Sequence, residues 1–206
     1  MPPFTIPEIV ISRLPVYMQK LNQMLREGHE IISSKELAEN LGITATQIRK
    51  DLSYFGGFGK QGFGYNIVNL LEELRQILNL TRPWKVALFG IGNLGQAIMH
   101  YRGFARNGFE IVLAFDNNPD LIGTEVLGLR IQDEINLEDE IQRKDIKIAI
   151  ITTPASEAQR LMNRLVTVGI KSVLNYAPII LIVPEDVKVT NIDPVLALQK
   201  MAYYLE

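Results

Sequence analysis

At 206 residues, 47% of them hydrophobic, the chain is long enough for one or two globular domains with ordinary buried cores. It contains no cysteine and two histidines, which excludes disulfides and thiol-based redox sensing and leaves little material for a metal site. The sequence contains no apolar run long enough to predict a membrane span and no export signal, so we expect a cytoplasmic protein. Its net charge is −2, so any contact with nucleic acid requires a local basic surface.

The N-terminal part of the chain has helical periodicity. Apolar side chains recur at spacings of three and four across residues 12–27, which predicts one amphipathic helix. Two shorter helices follow, joined by a glycine turn, and each begins with a capping signal. Ser33 lies three residues before Glu36, and Thr44 lies three before Gln47, so each pair of side chains can satisfy two free backbone N–H groups. Two short helices connected in this way have the outline of a helix-turn-helix.

The second of the two short helices is the candidate recognition helix. Its periodicity turns the polar side chains outward, at Thr46, Gln47, Arg49 and Lys50. The stretch FGGFGKQGFGY, residues 55–65, follows directly, and its glycines and aromatics predict a β-hairpin wing that brings Lys60 near a DNA phosphate. It has no Ser or Thr after Gly-Lys and no strand before it, so a nucleotide phosphate loop is not predicted. Between Thr44 and Tyr65 there are three cations, Arg49, Lys50 and Lys60, and one anion, Asp51. This local charge balance favours DNA binding.

A polar stretch containing Pro83 marks a domain boundary, after which short apolar runs predict buried strands. The run KVALFG leads into Gly90, Gly92 and Gly95, which have the GxGxxG spacing that lets a backbone approach a pyrophosphate at a helix N-terminus. A second strand ends at Asp116, 21 positions after the last glycine, where a carboxylate can bind the adenosine ribose. No cation follows before residue 130, so NAD is favoured over NADP.

Two further alternating units complete this half. IKIAIITTP leads into a helix and KSVLNYAP leads into IILIVPEDVKV, so residues 83–193 predict an α/β domain with a Rossmann-type parallel sheet. Thr152, Thr153 and Pro154 lie either at the ligand-binding carboxyl edge of that sheet or in an ordinary strand-to-helix turn. His100 is the one histidine here and no extra domain encloses a substrate, so we expect no catalytic residue and no metal. A cofactor domain beside a DNA-binding module indicates a ligand sensor.

The last segment predicts an apolar helix. In DPVLALQKMAYYLE, Asp193 is a plausible N-cap and Pro194 suits the first helical position, while Lys200 and Glu206 are the only charges beyond the cap. An apolar helix at a chain end must be buried against something, either its own domain or a second subunit. We therefore expect a dimer.

Taken together, these motifs resemble the Rex family of redox-sensing transcriptional repressors. The resemblance covers essentially the whole chain, through SRLPVYMQKL, RKDLSYFGGFGKQGFGYN, FGIGNLGQA, TTPASEAQ, LNYAP and NIDPVLALQKM. RKDLSYFG joined to the glycine-rich wing is more specific than the GxGxxG spacing. The resemblance implies a homodimer that binds a palindromic DNA operator when NADH is scarce and releases it when NADH binds.

The resemblance also assigns residues to sites. It implies DNA contacts by the recognition helix and the wing, at Thr44, Ala45, Thr46, Gln47, Arg49, Lys50, Ser53, Tyr54, Lys60 and Gln61. It implies binding of NADH or NAD+ at Gly90, Ile91, Gly92, Asn93, Leu94, Gly95, Asp116, Thr152, Thr153 and Pro154, with Tyr101 beside the pocket. Gln61 departs from the family pattern, which usually has arginine at this place in the wing.

The resemblance further implies a switch and a domain organisation. Depending on the state, Asp193 would engage either an arginine of the N-terminal domain, at Arg13, or the tyrosine beside the pocket, at Tyr101. The implied divisions are a winged helix-turn-helix domain at 1–80, a Rossmann NAD(H)-binding domain at 83–193 and a C-terminal dimerisation helix, exchanged between subunits, at 194–206.

Two other functions fit parts of the pattern. A small NAD-dependent oxidoreductase with an accessory helical domain would oxidise NADH steadily with a small carbonyl substrate. A module that only scaffolds other proteins would show neither DNA affinity nor a dependence of that affinity on NADH.

Overall fold

The computed structural model describes residues 6–39, 41–58 and 63–205. The contacts divide the chain into two compact units, Met1–Arg82 and Pro83–Glu206. The predicted wing tip, with Lys60 and Gln61, lies outside the described residues. Within the described ranges, no helix combines the length and the apolar character that a membrane crossing requires.

The first unit is built around a small core of helices. These are α1 (Glu8–Arg26), α2 (Ser34–Ala38), α3 (Ala45–Ser53) and α4 (Ile67–Ile77). Each turns an apolar face inward, as the periodicity predicts. The core is formed by fully or almost fully buried side chains, among them Leu14, Tyr17, Leu21, Leu37, Ile48, Leu52, Ile67, Leu70 and Leu74.

The two helix-turn-helix caps differ from each other. At α2, the Ser33 hydroxyl accepts from the Glu36 N–H at 3.1 Å, and the Glu36 carboxylate accepts from the Ser33 N–H at 2.7 Å. At α3, the Thr44 hydroxyl accepts from the Gln47 N–H at 3.1 Å. The Gln47 side chain does not complete a reciprocal pair there, because its amide donates instead to Asp51 at 2.7 Å. The expected full capping box therefore forms only at α2.

The wing is predicted from the sequence to be a β-hairpin formed within residues 55–65, but the strand at its end pairs with an earlier part of the chain. Strand β2 (Tyr65–Asn66) pairs antiparallel with β1 (Ile31–Ile32), which precedes the two short helices. Residues 54–58 form a turn and an irregular segment instead of a strand. Phe55 and Phe58 pack against the helical core, and the glycines between them have no side chains with which to stabilise a ladder.

The second unit is a mainly parallel sheet, which confirms the predicted α/β class with a Rossmann-type arrangement. Its strands are β3 (Trp84–Phe89), β4 (Phe109–Asp116), β5 (Glu125–Val126), β6 (Leu129–Asp133), β7 (Ile148–Ile151), β8 (Ser172–Asn175) and β9 (Lys188–Asn191). The order across the sheet is β5-β6-β4-β3-β7-β8-β9, and only the short β5–β6 pair is antiparallel. From β3, the chain adds β4 and β6 on one side of the sheet and then β7, β8 and β9 on the other. The strand order therefore reverses between β3 and β7, which is the position at which such folds bind ligands.

Helices cover both faces of this sheet. They are α5 (Asn93–His100), α6 (Gly103–Arg106), α7 (Leu137–Lys144) and α8 (Ala155–Thr167), and a last helix, α9 (Pro194–Ala202), follows β9 with no buried residue. One face holds a core in which Phe89 and Phe115 stack at 5.0 Å, and the other is centred on residues such as Leu88 and Ile98. The α9 helix is capped by Asp193, which accepts from the Val195 N–H at 2.8 Å.

Two parts of the second unit differ from the sequence expectation. The region between residues 117 and 144 had no assigned elements, yet it adds β5, β6 and α7. The apolar run 179–183 forms no strand, and β9 begins only at Lys188. Prolines flank this run, and the buried Asn175 amide donates to the Ile179 carbonyl at 2.9 Å, which holds the segment as a loop.

Candidate functional site

The glycine motif lies at the carboxyl ends of β3 and β7. Gly90 has φ +88°, and a Cβ there would approach Thr152 and Thr153 backbone atoms at 3.0 Å. A Cβ at Gly95 would overlap the Gly90 carbonyl oxygen, so only glycine lets α5 pack this closely on the strand. At Gly92 a Cβ would meet nothing within 4 Å, because this glycine borders an open cavity.

The first turn of α5 is suited to an anion. Gly92 is the N-cap residue and has no side chain with which to satisfy the first N–H groups, at Asn93 and Leu94. Both residues are exposed. A free helix N-terminus beside a glycine turn is the usual binding place of a dinucleotide pyrophosphate.

Asp116 connects the glycine loop to the next strand. Its carboxylate accepts from the Ile91 N–H at 2.5 Å and from the Asn118 N–H at 2.8 Å, and the residue is 9% exposed. A carboxylate has about four lone-pair sites, so two remain for ribose hydroxyls. Asp116 therefore both shapes the loop and is available to a ligand.

A cavity of about 500 Å³ opens at this sheet edge. It is lined by Gly90, Gly92, Asp116, Asn117, Asn118, Leu121, Glu134, Thr152, Thr153, Pro154, Glu157, Tyr176 and Pro178. This brings together the predicted glycines, the aspartate and the Thr-Thr-Pro segment. Its lining contains three carboxylates and neither lysine nor arginine among the described residues.

Sequence reasoning missed several lining residues. Leu121 and Glu134 belong to the region that had no assigned elements, and Glu157 lies in the first turn of α8. Tyr176 and Pro178 directly follow β8. The rule that ligands bind at the carboxyl ends of parallel strands could have indicated these last two residues.

The two threonines after β7 have different surroundings. The Thr152 hydroxyl contacts the Phe89 and Gly90 carbonyl oxygens at 2.9 and 2.6 Å, so it supports the glycine loop. The Thr153 hydroxyl is buried and has no hydrogen-bond partner in the part of the chain that the structure describes. An unpartnered buried hydroxyl is costly, and a ligand in the cavity would satisfy it.

Tyr101 lies at the end of α5 and is 63% exposed. Its ring packs edge-on against Phe104 with centroids 5.4 Å apart, and a Cβ at Gly103 would overlap that ring. Tyr101 does not itself line the cavity, whereas Tyr176 does. Burial, with a smaller effect of Tyr101, raises the pKa of Tyr176 above its usual value.

The candidate recognition helix, α3, presents an exposed polar face. Thr46, Arg49, Lys50 and Ser53 are exposed, while Ala45 and Tyr54 are half-buried. The Arg49 guanidinium donates to the Ser34 hydroxyl at 2.9 Å and to the Thr46 hydroxyl at 3.0 Å, which ties it to both short helices. The face therefore carries two cations of the kind that contact DNA phosphates and base edges.

Beneath this face, Asp51 is fully buried and accepts four hydrogen bonds. Two come from the Arg13 guanidinium at 2.6 and 2.7 Å, one from the Tyr17 hydroxyl at 2.6 Å and one from the Gln47 amide at 2.7 Å. Burial alone would raise the pKa of Asp51, but these hydrogen bonds outweigh it and hold the pKa below its usual value. We call Asp51, Arg13, Tyr17 and Gln47 the Asp51 cluster.

The Asp51 cluster corrects two expectations. Gln47 is half-buried and bonded to Asp51 instead of pointing outward with the other polar residues of α3. Asp51, counted as the local anion, is buried and paired with Arg13, so it does not offset the cations of the exposed face.

Comparisons with known proteins agree with the division of the chain into two units. Residues 5–53 match the family described as "Putative DNA-binding protein N-terminus", and residues 81–179 match the one described as "CoA binding domain". The chain is 53% identical over 199 residues to the redox-sensing transcriptional repressor Rex of Chloroflexus aurantiacus, with 97% of this chain and 94% of that protein covered. The Clostridioides difficile protein of the same name is 46% identical over 197 residues, with 96% and 94% covered.

Solved structures show the same relationship over almost the whole chain. A crystal structure of RSP in complex with β-NAD+ and operator DNA has a TM-score of 0.92 and 42% identity, covering 98% of this chain and 93% of that one. The structure of RSP with β-NADH has a TM-score of 0.88 and 40% identity, covering 97% and 94%. RSP is described as a Rex-family repressor.

Proposed function

The chain belongs to the Rex family of redox-sensing transcriptional repressors, and we propose that it binds operator DNA as a homodimer and releases it when NADH is bound. Its relatives are named as repressors, so the second unit serves as a sensor and not as an oxidoreductase. We propose that it acts in the cytoplasm, because a repressor acts where the chromosome lies.

One observation carries the proposal. A single chain combines a helix-turn-helix whose exposed face bears Arg49 and Lys50 with a glycine-lined cavity at the switch point of a parallel sheet. The first feature suits the DNA backbone and base edges, and the second suits a dinucleotide. The RSP structures contain operator DNA with β-NAD+ and, separately, β-NADH.

We assign NAD(H) to the cavity. The pyrophosphate would lie against Gly92 and the first turn of α5, and the adenosine ribose would hydrogen-bond to Asp116. The Thr153 hydroxyl would gain a partner from the ligand. NAD+ has a charged ring and NADH does not, so an apolar nicotinamide environment favours the reduced form by desolvation.

We assign operator contacts to α3 and to the wing. Lys50 and Ser53 are exposed on α3 and would contact phosphates, and the exposed Arg49 would contact a base edge or a phosphate. In the wing, Lys60 and Gln61 remain predicted contacts.

The proposed dimer uses the C-terminal helix. Val195, Leu196, Leu198 and Met201 of α9 are all more than half exposed in the single chain. Apolar side chains on a terminal helix need a partner surface, and we propose that α9 is exchanged with a second copy. This would carry Asp193 to the partner subunit.

The proposed switch passes through Asp193. In one state it would bind Arg13 across the dimer, and in the other it would bind Tyr101. The Asp51 cluster uses Nε and Nη2 of Arg13, and a second carboxylate could accept from Nη1. Moving such an equilibrium from 1:99 to 99:1 requires about 5.5 kcal/mol of differential binding by NADH.

The decisive experiment measures retention of a palindromic DNA while the NADH to NAD+ ratio is varied. Retention should fall as the ratio rises. Arg49→Ala and Lys60→Ala should weaken DNA binding and leave NADH binding intact, with a loss of about one unit of log-log salt slope for a lost phosphate contact. Lys188→Ala, an exposed cation of the sheet domain, is the matched control and should bind DNA normally.

Retention that is independent of the ratio would reject the redox-sensing part of this proposal. Unchanged DNA binding in both the Arg49 and Lys60 variants would reject the recognition-helix and wing assignments. Steady oxidation of NADH with a small carbonyl compound would instead favour an oxidoreductase.

A further inference from the structure

A carboxylate–arginine cluster borders the end of the cavity at which Asp116 lies. Strand β6 runs parallel to β4, with Asp133 directly beside Asp116 in the register. Glu134 follows immediately and lines the same cavity. If the adenosine ribose is bound by Asp116, its 2′-phosphate would enter a cavity that Glu134 also lines.

Glu134 is held in place by two arginines of α8. The residue is 7% exposed, and its Oε1 accepts from Arg160 Nη2 and from Arg164 Nη1, both at 2.9 Å. Arg160 also donates through Nε to Glu157 at 3.0 Å, and Glu157 lines the cavity too. Arg160 is thus engaged by two carboxylates that themselves line the cavity.

We propose that Glu134 is a specificity-determining residue that selects NAD(H) over NADP(H) by repelling a 2′-phosphate and by occupying Arg160, an inference that rests on the proposed NAD(H) site. A phosphate needs cationic donors, and arginine is the usual partner because its N–H groups match phosphate oxygens. Arg160 is half exposed and has that chemistry. Glu134 neutralises it and adds a negative charge to the lining.

Asp116 alone would not produce this selectivity. Removal of Asp116 would leave Glu134 and Glu157 in the lining, with Arg160 still engaged by both. Such a variant should lose affinity for NADH without gaining NADPH. Removal of the Glu134 charge, in contrast, should release one side of Arg160 toward the cavity.

The test compares the binding of NADH and NADPH by following the fluorescence of the reduced nicotinamide. Glu134→Gln keeps the shape of the side chain and removes its charge, and we expect the NADPH to NADH affinity ratio to rise by about tenfold or more, which corresponds to ~1.4 kcal/mol. Glu138→Gln is the matched control. Glu138 also binds Arg164 but does not line the cavity, so its variant should keep the wild-type ratio.

Two further variants test the role of Arg160. Glu157→Gln removes the other carboxylate that binds Arg160, so the NADPH to NADH affinity ratio should rise here too. This variant provides the test if Glu134→Gln does not fold. Adding Arg160→Gln to Glu134→Gln should return the ratio toward the wild-type value.

A wild-type ratio in both the Glu134 and Glu157 variants, together with normal NADH binding, would overturn the inference. An equal shift in Glu138→Gln would also overturn it, since net charge alone would then explain the effect. Failure of the wild-type protein to bind NADH would instead overturn the proposed function.

Discussion

Asp51→Asn tests whether the Asp51 cluster holds the recognition helix in place. The change keeps the volume of the side chain but removes its charge and replaces one acceptor oxygen by an NH2 group. That group would face the Arg13, Tyr17 and Gln47 donors, which now converge on the carboxylate. The Arg13 guanidinium, 21% exposed, would lose its partner.

The expected cost is large for a single substitution. Removing one partner of a buried ion pair costs about 3–5 kcal/mol, because the other charge stays buried and unpaired. Arg13 is partly exposed and Asn retains one acceptor, so we expect the lower end, ~3 kcal/mol. For a unit of this size, that loss lowers the melting temperature by roughly 12–24 °C.

The two units can be followed separately. The protein has one tryptophan, Trp84 at the start of β3, so its fluorescence reports the second unit. Helical circular dichroism during urea unfolding should show a destabilised first unit in Asp51→Asn, with the Trp84 transition unchanged. Asp186→Asn is the matched control, because Asp186 forms an exposed pair with Lys171 and its loss should change little.

Acid provides a second measurement of the same cluster. Because the pKa of Asp51 is held below its usual value, its contribution to stability is fully present above pH ~4 and is lost as pH falls through the folded pKa. The stability difference between wild type and Asp51→Asn should therefore shrink in acid. A first unit of wild-type stability in Asp51→Asn at pH 7, or a difference independent of pH, would refute the reasoning.

Three further outcomes are expected. Asp116→Ala should weaken NADH and NAD+ alike, because the adenosine ribose is the same in both, and equal titrations of variant and wild type would contradict this. Gly95→Ala should abolish dinucleotide binding, because its Cβ would overlap the Gly90 carbonyl oxygen, and calorimetry showing normal NADH binding would contradict the packing argument. Asp193→Ala and Tyr101→Phe should preserve dimerisation and some NADH binding yet retain DNA at NADH concentrations that release the wild type; release at the wild-type concentration would exclude this route.

Local sequence patterns predicted the features that depend on near neighbours. The Ser33–Glu36 box, the Asp193 cap and the GxGxxG turn each involve residues within a few positions of one another. Apolar periodicity likewise indicated the core faces of the helices, because burial of a helix face follows its 3.6-residue repeat. The α/β class and the cavity at the carboxyl edge follow from the alternation of strands and helices.

The tertiary structure alone decided the partners of polar groups far apart in the chain. Arg13 meets Asp51 across 38 positions, Arg160 meets Glu134 across 26, and Ile32 pairs with Tyr65. From sequence alone, a charged residue is predicted to be exposed, because burying an unpaired charge is costly. The neighbouring sequence does not show that an oppositely charged residue from a distant part of the chain will pair with it. Packing brings those partners together, so it decides which charges are buried, which lie on the exposed face of α3 and which line the cavity.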